Sequence, residues 1–178
     1  DLNRQWRQWT IDEPAVFVTF NGMAYDEELI RRQFYWNLFE SYLTNTNGNS
    51  RLDILLMIHN VAAFSPNILN IPLFEGGPGV SIKQADIAAA NGFEIGDAHD
   101  AIADCKLMIS LLEKMNQKKP ELIDFFLKIS SKTGVQEAVQ QQGFLGLGEV
   151  FKREIFRYPV VPCGSKAPND LMFFDLSF

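Results

Sequence analysis

The sequence predicts an α/β protein, rich in helix, with a β-rich segment at its C-terminal end. Three observations carry this prediction. An apolar run at 15–20 (Ala-Val-Phe-Val-Thr-Phe) is halted by Asn21-Gly22 and followed by an aromatic-rich helical pattern. A short run from Arg51 to Ile54 leads straight into a second apolar helical stretch that ends near Phe64. At Gly143 the helical spacing gives way to strand-like runs. Strand, helix, strand, helices is the order of an α/β layer fold.

Each element has a local reason. Residues 2–9 read as the end of a helix with Trp6 and Trp9 on one side, and Asp12-Glu13-Pro14 breaks it. The run 15–20 is apolar on both faces, as in the middle of a parallel sheet. Asp26 to about Tyr42 reads as a helix, and Asn47-Gly48-Asn49 as a loop. Pro72, Gly76, Gly77, Pro78 and Gly79, together with Pro66, make 65–80 a loop. Ser81 is expected to cap a helix to about Ala90, which Asn91-Gly92 stops. Asp97 is a good cap for the next helix, with Ile102, Leu107, Ile109, Leu111 and Leu112 at buried spacings as far as Lys118. Pro120 suits the first turn of another helix over 121–130, and 135–142 is also helical in pattern. Gly143, Gly146 and Gly148 loosen the chain before strand-like runs at 155–161 and 171–176, with a turn at 162–170. This divides the chain into a domain at 1–142 and the start of a β module at 143–178.

Composition narrows the classes. With 178 residues, 47% hydrophobic, 21% charged and 12% aromatic, the chain is a globular mixture. No apolar run approaches membrane-spanning length. Cys105 and Cys163 fit no metal or redox spacing, which points to a reducing cytoplasm. A net charge of −6 argues against a broad electrostatic nucleic-acid binder, though not against a metal-dependent nuclease, whose own site is acidic.

The chemistry concentrates at Asp97-Ala98-His99-Asp100-Ala101-Ile102-Ala103-Asp104. A histidine lies among acids where an apolar helix begins, and Asp100 and Asp104, four apart, share a face. A carboxylate and a neutral imidazole on one helix end can serve a metal-bound water, one as ligand and one as base. Asp26 stands just beyond the carboxyl end of the strand 15–20, where α/β sheets bind ligands. Taken singly, each acid also fits the simpler role of a helix-start residue favoured by the helix dipole.

Three blocks in order resemble bacterial exonuclease I: Asn21-x3-Tyr25-Asp26-Glu27-Glu28, then Asn49-Ser50-Arg51-Leu52-Asp53-Ile54-Leu55, then Ala98-His99-Asp100-Ala101-x-Ala103-Asp104. That family belongs to the Asp-Glu-Asp-Asp-His exonucleases, which share a ribonuclease H-like fold. The resemblance implies a 3′–5′ exonuclease that removes mononucleotides from single-stranded DNA, followed by an SH3-like β domain from Gly143 on. It implies two divalent ions, Mg²⁺ or Mn²⁺, with Asp26 and Asp104 as metal-holding acids and His99 as general base. It implies that Arg31, Tyr42, His59 and Lys83 line a single-strand groove, with His59 where an arginine often stands. A DNA-repair setting in the cytoplasm and a single-stranded-DNA-binding protein as partner are implied with it.

One feature departs from the family. Its first motif, Asp-x-Glu on the first strand, has no counterpart here, since Asp12-Glu13 has neither the spacing nor the strand context. The chain supplies Asp26 and Asp104 as metal acids, with Asp53 and Asp100 as neighbouring acids. The expectation is therefore a fragment of a longer enzyme, inactive alone, with an uncovered apolar edge on the strand 15–20. Two other readings stay open: a catalytically dead nucleic-acid-binding module of the same fold, and an exonuclease that prefers RNA or proofreads for a polymerase.

Overall fold

The computed structural model describes residues 2–96, 100–167 and 170–177. The chain opens with helix α1 (Leu2–Trp9) and strand β1 (Val16–Thr19). Trp6 packs its ring on Phe17 (centroids 5.0 Å apart) and edge-on against Phe34 (5.9 Å). Trp9 does not share this side, being 63% exposed. β1 runs parallel to β2 (Ser50–Asp53), with Val16 opposite Ser50 and Thr19 opposite Asp53. The parallel pairing agrees with the sequence, but burial on both faces does not: Val16 and Val18 are exposed while Phe17 and Thr19 turn inward. Among the described residues, β2 is the only strand paired with β1.

Helix α2 (Asp26–Trp36) stops earlier than its apolar spacing suggests. Leu38 turns into the left-handed region at φ 59°. The N–H of Phe39 then reaches back to the Phe34 carbonyl at 2.8 Å and that of Leu38 to Tyr35 at 3.0 Å. This pair of bonds satisfies the last carbonyls and closes the helix without a glycine. A single 3₁₀ turn at Leu43–Asn45 follows.

Helix α3 (Ile54–Phe64) is the centre of the molecule. Its residues Ile54, Met57, Ile58 and Val61 are fully buried, and they join Leu69, Ile87, Leu111, Met115 and Phe126 in one core. A helix buried on most sides needs apolar residues on most sides, which explains its near-continuous apolar sequence. Around it stand α4 (Gln84–Ala90), α5 (Ala101–Lys118), α6 (Pro120–Ile129) and α7 (Lys132–Gln141). Ser81 does not cap α4. Its hydroxyl donates instead to Asp86 Oδ2 at 2.5 Å, and the Lys83 backbone occupies the capping position. Gly92, at φ 83°, ends α4 as the sequence indicates. α5 starts later than expected, capped by Asp100, whose Oδ1 accepts the Ile102 N–H at 3.1 Å. Asp97 lies outside the described residues. Leu107 and Leu111 are buried on α5 as the spacing predicts, joined by Met115, but Ile102 and Ile109 face outward.

The C-terminal segment is an antiparallel meander of β3 (Leu145–Phe151), β4 (Glu154–Ala167) and β5 (Asp170–Asp175). Here the sequence misleads twice. Gly146 and Gly148 are not loosening residues but members of β3. A Cβ on Gly146 would meet Phe64 at 2.9 Å, and one on Gly148 would meet Ala63 Cβ and the His59 carbonyl, each at 2.7 Å. Glycine is there because β3 lies directly on α3. Residues 162–167, read as turn, continue β4 through irregularities at Pro162/Gly164 and Ser165/Ala167. The meander is fastened to α3 by the Gly148 N–H on Asn60 Oδ1 (2.9 Å) and by Arg157 Nε on the Ala63 carbonyl (2.5 Å).

Candidate functional site

The carboxyl ends of β1 and β2 lie side by side, and the site is built outward from them. The turn after β1 carries Asn21 to Tyr25 and delivers Asp26 to the first position of α2, exposed and with no described hydrogen bond. Glu27, the next residue, is 3% exposed. It accepts from Thr44 Oγ1 at 2.9 Å and from Arg51 Nη1 at 3.3 Å, so its charge is compensated in place. Adjacent acids thus divide, one available to solvent and one locked beneath it.

Asp53 is also spoken for. Only 4% exposed, it accepts the backbone N–H groups of Asn21 (2.7 Å) and Leu55 (3.0 Å) on Oδ1 and of Met23 (3.1 Å) on Oδ2. Both of its oxygens accept backbone N–H groups, so Asp53 is engaged in the fold in a way that the exposed Asp26 is not. Asp100 is likewise engaged as the α5 cap.

Arg31 and Tyr42, assigned to one groove from the sequence, do come together. The Arg31 guanidinium lies 5.6 Å from the Tyr42 ring centre, and Tyr42 is half-exposed. Arg31 also pairs with Glu28, which Arg32 Nε holds at 2.8 Å. The hydrogen bond from Arg32 and the nearby Arg31 charge hold the Glu28 carboxyl below its ordinary range. Arg31 Nε is buried with no described partner. A cation stacked on an exposed aromatic is a surface that can meet a phosphate and a base.

Asp104 projects from the first turn of α5, exposed. Its carbonyl accepts Gln84 Nε2 at 2.6 Å, which ties the start of α4 to the start of α5. Lys83, exposed, directly precedes Gln84 at the capping position of α4. His99 lies outside the described residues. His59 is half-buried on α3, its Nε2 without a described partner. Burial pushes its pKa down, and the Glu149 and Asp53 charges oppose that shift. Of the predicted residues, the described contacts join Arg31 to Tyr42 alone; Asp26 begins α2, Lys83 and Asp104 stand at the starts of α4 and α5, and His59 lies on α3. No described hydrogen bond or ion pair links these groups. Among the described residues, no set of three or more His, Cys, Asp or Glu side chains gathers as a metal cluster. The two exposed acids offer hard carboxylate oxygens, the donor type that suits Mg²⁺ or Mn²⁺.

Helices packed around the parallel β1–β2 pair make an α/β layer, and solved nucleases share this fold. Solved structures agree: exonuclease I from Methylocaldum szegediense superposes with a TM-score of 0.80 at 25% identity, over 99% of this chain and 38% of that one. An E. coli exonuclease I complexed with a dA16 oligonucleotide matches at 0.76 and 23% identity, over 91% of this chain and 36% of that one. An exonuclease I complex with an SSB-Ct segment matches at 0.78 and 21% identity, over 98% of this chain and 38% of that one. In sequence, exodeoxyribonuclease I of Buchnera aphidicola subsp. Acyrthosiphon pisum is 34% identical over 128 residues, or 71% of this chain and 31% of that protein. The resemblance to bacterial exonuclease I thus holds in sequence and in fold. The chain spans about a third of the length of the relatives it matches. No family profile matches it.

Proposed function

We propose that this chain contributes to a 3′–5′ exodeoxyribonuclease that releases mononucleotides from single-stranded DNA by metal-assisted hydrolysis. The observation that supports the reading best is the match of the fold to exonuclease I over 99% of this chain, with Asp26 exposed at the start of α2 and Asp104 exposed in the first turn of α5. In this reading Asp26 and Asp104 are acids that hold Mg²⁺ or Mn²⁺. The ions, when bound, acidify a water and stabilise the charge on the attacking and leaving oxygens. His99, carried over from the sequence resemblance, is the base that takes a proton from the water, since an imidazole titrates near working pH. Arg31 and Lys83 meet the phosphates of the strand, and Tyr42 stacks on a base. His59 would give a groove contact weaker than an arginine's, since burial disfavours its charged form. The complexes of related exonuclease I structures with an oligonucleotide and with SSB-Ct support single-stranded DNA as substrate and a single-stranded-DNA-binding protein as partner. We also propose that the domain division falls near Gly143, with the β3–β5 meander as the start of an SH3-like unit, and that the protein acts in DNA repair in the cytoplasm.

A two-ion site needs more acids than Asp26 and Asp104, because Mg²⁺ gives up its water reluctantly. The complete enzyme, in this reading, adds a first-motif Asp-x-Glu to them. The test is a digestion assay on labelled single-stranded DNA. The 178 residues alone are expected to be inactive, and the same chain joined to a first-motif segment is expected to release mononucleotides with Mg²⁺ and to stop with chelator. Vigorous chelator-sensitive digestion by the 178 residues alone would show that the metal-holding residues have been misassigned.

A further inference from the structure

The turn that carries Asp26 is unusually constrained. Asn21 stands in the left-handed region at φ 60°, which asparagine adopts more readily than most residues with a side chain but still at some cost. Gly22 follows where a Cβ would lie 2.4 Å from Thr19 Cβ, so nothing larger fits. Its carbonyl accepts the N–H groups of Tyr25 (3.2 Å) and Glu27 (2.9 Å), which bracket Asp26. A strained turn persists only where its surroundings over-determine it. Here the surroundings are Asp53. It ends β2 directly opposite Thr19, caps α3 through Leu55, and with the same carboxylate takes the N–H groups of Asn21 and Met23.

We propose that Asp53 is a positioning residue for Asp26. One buried carboxylate joins the head of α3, the most buried helix of the fold, to the turn that aims the exposed acid. The inference rests on the reading of Asp26 as a metal-holding acid. It requires a carboxylate specifically, because three N–H groups on two oxygens need acceptors on both sides. An asparagine supplies one carbonyl oxygen and turns its NH₂ toward at least one backbone donor. A serine keeps the cap on Leu55 but is too short to reach the turn as well.

Residues that fix a metal-holding group from behind typically change affinity or activity 10–100-fold when removed. In the complete enzyme, Asp53→Asn and Asp53→Ser are therefore expected to lower kcat by about 10- to 100-fold. The Mg²⁺ concentration for half-maximal rate is expected to rise, while KM for single-stranded DNA stays nearly constant. A loss through general unfolding would instead lower the active fraction without moving the Mg²⁺ requirement. The unmodified protein gives an independent reading: the amides of Asn21 and Met23 are expected to exchange slowly with solvent, and to speed up in Asp53→Ser. Asp26→Asn is measured beside them. If it is inactive while the Asp53 variants keep wild-type kcat and Mg²⁺ dependence, the positioning role is overturned and the site stands. Fast exchange of both amides in the unmodified protein also overturns it. If Asp26→Asn is fully active, the site reading falls and the inference with it.

Discussion

Single side chains in this protein take their roles from what surrounds them, and three acids on adjoining segments make the point. Asp26 is exposed and uncommitted, Glu27 is buried between Thr44 and Arg51, and Asp53 is saturated by backbone N–H groups. Removing Glu27 leaves Arg51 and Thr44 without their acceptor. Breaking a fully buried pair costs about 3–5 kcal/mol, and the partial exposure of Arg51 brings the expected loss for Glu27→Ala to about 2–3 kcal/mol. Urea denaturation reads this as a lower midpoint with an unchanged slope. His59 gives a pH dependence. Burial lowers its folded-state pKa below 6.5, so below that pH the unfolded chain binds the proton first. The contribution is fully favourable above pH 6.5 and is lost as pH falls through the depressed folded value. His59→Gln is expected to flatten the fall in stability over that acidic window, measured as Tm against pH for both proteins. A variant whose pH profile matches the wild type would remove His59 from the account.

At the level of elements, local rules were legible where local forces decide. β2 running into α3, the proline start of α6 and the glycine stop of α4 all appear where composition places them. The errors fall where tertiary contact decides. α2 ends at a left-handed Leu38 that no glycine announces, and β3 contains two glycines that read as a break until α3 is seen lying against them. Asp26 and Asp104 were legible as candidates because helix starts are visible in sequence. The saturation of Asp53 was not, since two of its three partners are backbone groups some 30 residues away, and a backbone N–H leaves no trace in residue type. The β3–α3 contact yields its own prediction. Gly148→Ala would push a methyl to within 2.8 Å of Ala63, His59 and Asn60, two of the contacts being backbone. Overpacking of this kind costs about 1–3 kcal/mol. The expected readout is a Tm lowered by roughly 2–4 °C per kcal/mol. An unchanged Tm would mean that the meander does not rest on α3 as described.

On the scale of the whole molecule, the parts point one way. A buried α3 carries the core, its head fixes the turn after β1, and the starts of α2, α4 and α5 present Asp26, Lys83 and Asp104 to solvent. The likeness to exonuclease I extends over nearly the whole chain, so the proposed chemistry concerns this architecture and not an isolated motif. Under the proposal His99 serves as the base, and His99→Ala in the complete enzyme is expected to lower turnover about 10²- to 10⁴-fold while substrate binding survives. An unchanged rate at neutral pH would remove that assignment. The central claim is that Asp104 holds metal for phosphodiester hydrolysis, and one assay tests it most directly. The complete enzyme and its Asp104→Asn variant are compared for Mg²⁺-dependent release of mononucleotides from 3′-labelled single-stranded DNA, with folding checked by circular dichroism. The account predicts chelator-sensitive release by the unmodified enzyme and none by a folded Asp104→Asn protein. Near-normal turnover by that variant would make Asp104 an ordinary helix-start acid and contradict the account.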